Sequence, residues 1–151
     1  MRGVPSGTET TLALWKASRA VSACARDSIE HTGLGLSDFA VLEALLHVGP
    51  LAVNAIGRKI FLTSGSITTA VERLVSRGLV SRTDDPEDRR VRVIALTAEG
   101  RRLITPAYAQ HEADLEQVVS ALTSAERTTL FALLRKLGRA AAATRGTAED
   151  M

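Results

Sequence analysis

From about Thr10 to His31 apolar residues recur at steps of three and four, with Leu14, Ala17, Val21, Ala25 and Ser28 or Ile29 on one side, so the chain opens on an amphipathic helix. Gly33 and Gly35 end it. Ser37 predicts the N-cap of a second helix that carries Val41, Leu42, Leu45 and Leu46 on one face and stops at Gly49-Pro50. A short helix from Val53 to Ile60 turns Val53, Ile56 and Ile60 inward. Only Phe61 and Leu62 separate it from a new start signal at Thr63. The string TSGSITTAVERLVSRG then puts Ile67, Ala70 or Val71, and Leu74 on one face, and Ser64, Ser66, Thr68, Thr69 and Arg73 on the other, with Gly78 as its stop.

The period changes next. Leu79 to Thr83 and Val91 to Thr97 are short runs of Val, Ile, Leu and Thr joined by the polar turn DDPEDRR, the pattern of a β-hairpin with a charged tip. Thr97 predicts the N-cap of a long helix in which Ile104, Tyr108 or Ala107, His111, Leu115, Val118 and Leu122 alternate at steps of four and three, bent early by Pro106. Thr123-Ser-Ala-Glu126 matches a capping box and opens a last helix striped by Leu130, Leu133 or Leu134, Leu137 and Ala141. Together these elements predict a mainly α (α+β) fold, a winged helix-turn-helix with about six helices and a two- to three-stranded wing. The expected organisation is one domain over 1–144, with a DNA-binding lobe at about 37–97, dimerisation helices at about 10–31 and 98–144, and a flexible tail at 145–151. The stripes of the flanking helices exceed what a small winged lobe can cover, which favours dimerisation.

Composition narrows the class. A chain of 151 residues fits one domain, and its 45% hydrophobic content with only 3% aromatics leaves Ala and Leu to fill the apolar positions, which favours helices. The single Cys24 cannot form an internal disulfide, and no apolar run approaches the roughly 18 residues of a membrane span, so a soluble cytoplasmic protein is expected. Between Asn54 and Arg92 there are eight Lys/Arg against five acids, an excess concentrated in the predicted lobe of a chain with net charge +2. That hints at a polyanion, although a solvated charged surface explains it equally well.

Two short helices joined by a tight turn, the second bearing small hydroxyls and an Arg, suit a major groove about 12 Å wide. Gly65 allows close backbone approach, and the first-turn amides at Ser64 to Ser66 suit a phosphate oxygen. At the hairpin tip Arg90 can enter the adjacent minor groove while Asp88 holds its guanidinium.

The span from Ser37 to Leu103, above all LTSGSITTAVERLVSRGLVSRTDDPEDRRVRVIALTAEG, resembles the MarR family of transcriptional regulators in the order of its parts: recognition helix, RGLV, a DPxDRR wing, then LTxxG opening a long helix. The resemblance implies a homodimer interlocked through its N- and C-terminal helices and binding a pseudo-palindromic operator in double-stranded DNA. It implies DNA contacts from Ser64, Gly65, Ser66, Thr68, Thr69 and Arg73 of the recognition helix and from Asp88, Arg89 and Arg90 of the wing. The string KIFLTSGSIT also resembles members that respond to catechols, quinones or other phenolics, so a repressor relieved by a small phenolic effector, lodged between lobe and dimer helices, is expected. Two positions depart from the family pattern. Ala52 replaces the Thr or Ser that caps the first helix of the motif, a loss of about 0.5–2 kcal/mol, and Phe61 stands where a turn Gly is usual.

Other chemistry finds little support. Cys24, among Ala and Ser with no Lys nearby, reads as a buried inert thiol rather than a redox sensor. The three histidines lack zinc-site spacing, and Asp84, Asp85, Glu87 and Asp88 read as solvated turn acids, so no metal or cofactor is expected. Trp15 reads as an interface anchor. Neither a nucleophile constellation nor a phosphate-cradling Gly-rich loop is present, so no enzyme is expected. The alternative is a winged-helix protein-interaction module that no longer reads DNA sequence.

Overall fold

The structure, a computed structural model, describes residues 3–59, 64–85, 88 and 90–149, excluding the side chains of Lys59, Ser64 and residues 145–149. Its first helix begins at a capping box: Ser6 Oγ accepts from the Glu9 amide at 3.2 Å, and a Glu9 carboxylate oxygen accepts from the Ser6 amide at 2.8 Å. Helix α1 therefore spans Gly7–His31, starting a turn before the expected Thr10. Only Ser28 and Ile29 of this helix are buried. Leu12, Trp15 and Val21 are exposed, and so is Cys24, which corrects the expectation of a buried thiol. The chain's own core reaches only the end of α1, leaving Ala17 and Val21 of its apolar stripe exposed and Leu14 and Ala25 half-buried.

Helix α2 (Leu36–Val48) starts behind Gly35, not behind Ser37. Gly33 reverses the chain at φ +76°, Leu34 drops into the core at 3% exposure, and the helix must then begin at once, which places Ser37 inside its first turn. After strand β1 (Leu51–Ala52), helix α3 (Val53–Lys59) and helix α4 (Ser64–Ser76) form the helix-turn-helix pair. Ile60 and the turn at Phe61 lie outside the described residues. Ala52 sits just before α3 and has no side-chain oxygen with which to cap it.

Strands β2 (Val80–Asp84) and β3 (Arg92–Leu96) make the hairpin, and β1 adds a third strand in the order β1-β3-β2, all antiparallel. Register pairs Leu51 with Ile94, Arg82 with Ile94, and Asp84 with Arg92. Phe39, Leu42 and Leu45 of α2, Ile56 of α3, Leu74 of α4 and Ile94 of β3 are each 1% exposed or less, so every element of the lobe contributes to one core. Burying each such side chain contributes about 1.5–3 kcal/mol. Helix α5 (Ala98–Val119) carries Pro106 within its length and adds the fully buried Ile104.

One junction ties the lobe to α5. Gly78, at φ +69°, ends α4 in a Schellman turn, with its own amide on the Val75 carbonyl and the Leu79 amide on the Leu74 carbonyl. Thr97 then binds both sides. Its hydroxyl donates to the Gly78 carbonyl at 2.7 Å and accepts from the Gly100 amide at 3.0 Å, while its amide donates to the Leu79 carbonyl at 3.1 Å. A Cβ on Gly100 would stand 1.9 Å from that Leu79 oxygen, so only glycine fits.

The chain divides into two compact units, Met1–Leu115 and Glu116–Met151, both within the span expected as one domain and its tail. The second holds helix α6 (Ser124–Glu149), which opens on the anticipated capping box: Glu126 accepts from the Thr123 amide and hydroxyl, and Thr123 accepts from the Glu126 amide. Leu130, Phe131, Leu133, Leu134 and Leu137 along it are exposed. The helix continues to Glu149, into the segment expected as a tail.

Candidate nucleic-acid interface

At about 3.6 residues per turn, α4 sorts its side chains into three sectors. Ile67, Ala70, Val71 and Leu74 form the buried sector, each at 2% exposure or less. Opposite lie Gly65, Thr69, Glu72 and Ser76, all exposed. On one flank Ser66, Arg73 and Arg77 follow one another up the helix; on the other, Thr68 turns toward the wing. Gly57 of α3 permits the close crossing of the two helices, since a Cβ there would lie 2.9 Å from the Ile67 methyl. The face expected to read DNA is therefore outward and shallow, with Gly65, Ser66, Thr68 and Thr69 on it. The Ser64 side chain and Arg89 lie outside the described residues.

Arg73 is placed differently from the expectation of a DNA-facing cation. Its Nε donates to both carboxylate oxygens of Asp38 at 3.0 Å, and its Nη2 donates to Asp38 Oδ1 at 2.6 Å and to Ser37 Oγ at 3.3 Å. Arg77 approaches the same carboxylate at 3.6 Å. The Asp38 side chain is 4% exposed and sits in the first turn of α2, where helix amides favour negative charge. Its hydrogen bond, and then its charge, raise the Arg73 guanidinium above its ordinary pKa. Thirty-five positions separate the partners, so no local sequence signal announces the pair.

In the wing, Asp88 also acts otherwise than expected. Its carboxylate accepts from the Arg90 backbone amide at 3.0 Å and its carbonyl accepts from the Val91 amide at 2.9 Å, while its own amide donates to Asp85 Oδ1 at 3.3 Å. Asp88 thus shapes the turn backbone, as Asx turns do, and does not grip the Arg90 guanidinium. Among the described residues that guanidinium makes no ion pair, and Arg90 is exposed. Arg92 of the hairpin is bound across the strands to Asp84. Between α3, α4 and the wing lies a cleft of about 570 Å³, rimmed by Asn54, Arg58, Thr68, Arg90 and Arg92 over Val53, Ile67 and Val91.

A polar seam that no local pattern announces joins α1 to α5. Ser28 donates to Asp114 at 2.5 Å, and Gln110 donates to the other Asp114 oxygen at 2.8 Å; the two bonds, Ser28 first, hold the carboxyl below its usual range. His111, 7% exposed, meets Ser28 Oγ at 3.1 Å. Across its ring lies Phe39 at a centroid distance of 5.0 Å. Among the described residues no group of three His, Cys, Asp or Glu could hold a metal ion, and no helix is long and apolar enough to cross a membrane.

Residues 32–91 match the model of the MarR family. The HTH-type transcriptional regulator MhqR of Bacillus subtilis (strain 168) is 34% identical over 135 residues, which cover 87% of this chain and 93% of MhqR. The chain belongs to the MarR family of helix-turn-helix transcriptional regulators. Two solved structures of similar fold are a probable transcriptional regulator from Pseudomonas aeruginosa and BpsR of Bordetella bronchiseptica. The first is 31% identical with a TM-score of 0.72, covering 84% of this chain and 95% of its own. The second, whose DNA binding is regulated by 6-hydroxynicotinic acid, is 27% identical with a TM-score of 0.74 and covers 85% and 98%. In this MarR-family chain the RGLV and LTAEG stretches are the two halves of the Gly78–Thr97–Gly100 junction.

Proposed function

We propose that the chain is a homodimeric repressor that reads a pseudo-palindromic operator, placing α4 of each protomer in the major groove and Arg90 of each wing in the flanking minor groove. The observation that carries this reading is the sorting of α4. Its apolar side is fully spent on the core, while Gly65, Ser66, Thr68 and Thr69 present a thin, hydroxyl-bearing face that admits close approach to base edges. The exposed apolar side chains of α1 and α6 support a twofold partner. Paired α4 helices about 34 Å apart would meet half-sites one helical turn apart. The regulation of BpsR's DNA binding by 6-hydroxynicotinic acid, a hydroxylated aromatic acid, supports a small aromatic effector here, which we take to be a phenolic compound.

Selection of duplexes from a randomised pool tests the reading. Wild-type protein is expected to enrich a twofold-symmetric site, and a Ser66→Ala/Thr68→Ala/Thr69→Ala variant to lose that preference while retaining non-specific binding. Enrichment of no sequence, or an unchanged preference in the variant, would overturn it. Adding salicylate or catechol to the wild-type complex tests the effector, with release of the selected duplex expected.

A further inference from the structure

The geometry points to Asp38 as a positioning residue of the DNA-reading helix: it holds Arg73 and Arg77 as a two-arginine clamp that fixes α4 against α2 and withholds both cations from DNA. The inference rests on the DNA-reading proposal above and adds how the reading helix is held.

Three observations carry it. The carboxylate is almost completely buried, at 4% side-chain exposure, so it requires compensation, and Arg73 supplies it through Nε and Nη2 together. The two arginines lie one turn apart, Arg73 in the last turn of α4 and Arg77 just past its end with its amide on the Arg73 carbonyl, so one anion grips the end of the helix at two levels. The same turn of α2 is fixed from behind, because Phe39, next to Asp38, is 1% exposed in the core. A guanidinium engaged through Nε and Nη2 on two oxygens and a serine hydroxyl is held in place although its side chain is 45% exposed, and swinging it to a phosphate would leave Asp38 buried with only the more distant Arg77. Ser66 and Thr69 lie one to two turns earlier on neighbouring sides of α4, so the clamp sets the angle at which those hydroxyls meet the bases.

A free phosphate-binding cation and a clamped one respond differently to the same changes. Loss of a phosphate contact lowers the slope of log K against log salt by about 0.9. Loss of a clamp leaves that slope where it was and reduces discrimination between sites. The assay uses the duplex selected by wild-type protein and poly(dI-dC) as non-specific competitor. For Arg73→Gln the expected result is an unchanged slope with the specific-to-non-specific ratio reduced about tenfold, the size of one lost discriminating contact. Arg73→Lys, which keeps the charge but not the fork, is expected to behave like Arg73→Gln. Asp38→Asn frees two cations, so its slope should steepen by about 0.9 or more as the ratio falls.

A slope that drops for Arg73→Gln and is restored by Arg73→Lys would overturn the clamp, since Arg73 would then be an ordinary phosphate contact. A thermal double-mutant cycle of Asp38→Asn with Arg73→Gln, measured without DNA, guards against variants that merely unfold. Additive effects there would also overturn the proposal, and a coupling of opposite partners supports it. If wild-type protein itself shows no preference over poly(dI-dC), the DNA-reading proposal fails, and that failure is visible before any variant is compared.

Discussion

Arg90 and Arg73 are two arginines of one lobe with opposite circumstances. The first is exposed on a turn whose backbone Asp88 has shaped, the second is committed to a buried carboxylate. Arg90→Ala is expected to weaken duplex binding and lower the salt slope by about 0.9, or to relax A·T preference beside each half-site; a footprinting titration at several salt concentrations reads both. Asp88→Ala should act on the same titration through turn geometry and leave the slope unchanged. The types of these residues and their places on helix or hairpin were legible in the sequence. Their partners were not. Asp88 to an Arg90 amide and Asp38 to Arg73 depend on backbone shape and on a contact across 35 positions, which periodicity does not encode.

At the scale of elements, caps made the chain most readable, and where they misled the reason is local. Thr123 and Glu126 stand as the capping pattern requires, and the same pattern at Ser6 and Glu9 starts α1 earlier than its apolar stripe suggests. Both glutamates are held below their ordinary pKa, first by the backbone amide of the cap residue and then by its hydroxyl. A carboxylate with a depressed folded-state pKa contributes stability that is complete above its unfolded value and is lost as pH falls through the folded one. Helicity followed by circular dichroism should therefore be flat above about pH 6 and decline below about pH 4.5, less steeply in a Glu9→Gln/Glu126→Gln variant. Ser37 misled as a cap because Gly33 and the buried Leu34 bring α2 to a start two positions earlier, behind Gly35. Strand β1, two residues long, is too short to show alternation and is defined only by its pairing with β3. The glycines give a sharper contrast. Gly57→Ala meets only the mobile end of Ile67 and should cost about 1 kcal/mol or less, whereas Gly100→Ala meets the Leu79 carbonyl and should cost about 3 kcal/mol or more; urea unfolding distinguishes them.

On the scale of the whole molecule, the apolar residues of α1 and α6 are the largest part of the sequence pattern that a single chain leaves uncovered. Val21, Leu130, Leu133 and Leu137 belong to stripes as regular as those of the core, and regularity alone cannot tell an internal face from one awaiting a second copy. Phe131→Glu/Leu133→Glu is therefore expected to shift sedimentation from dimer to monomer and to remove cooperative operator binding, leaving the lobe folded. Cys24 was misjudged for the same reason, since its small apolar neighbours look like those of a core and yet the single chain leaves it exposed. A last consequence follows from the knot at Thr97. With the end of α4, the root of the hairpin and the opening turn of α5 bonded to one threonine, and Leu79 seated against Gly100, no swivel remains there. Reader and wing must travel with the head of α5 as a single rigid piece, so in the proposed dimer any adjustment of the distance between the two reading helices would be absorbed further along that helix.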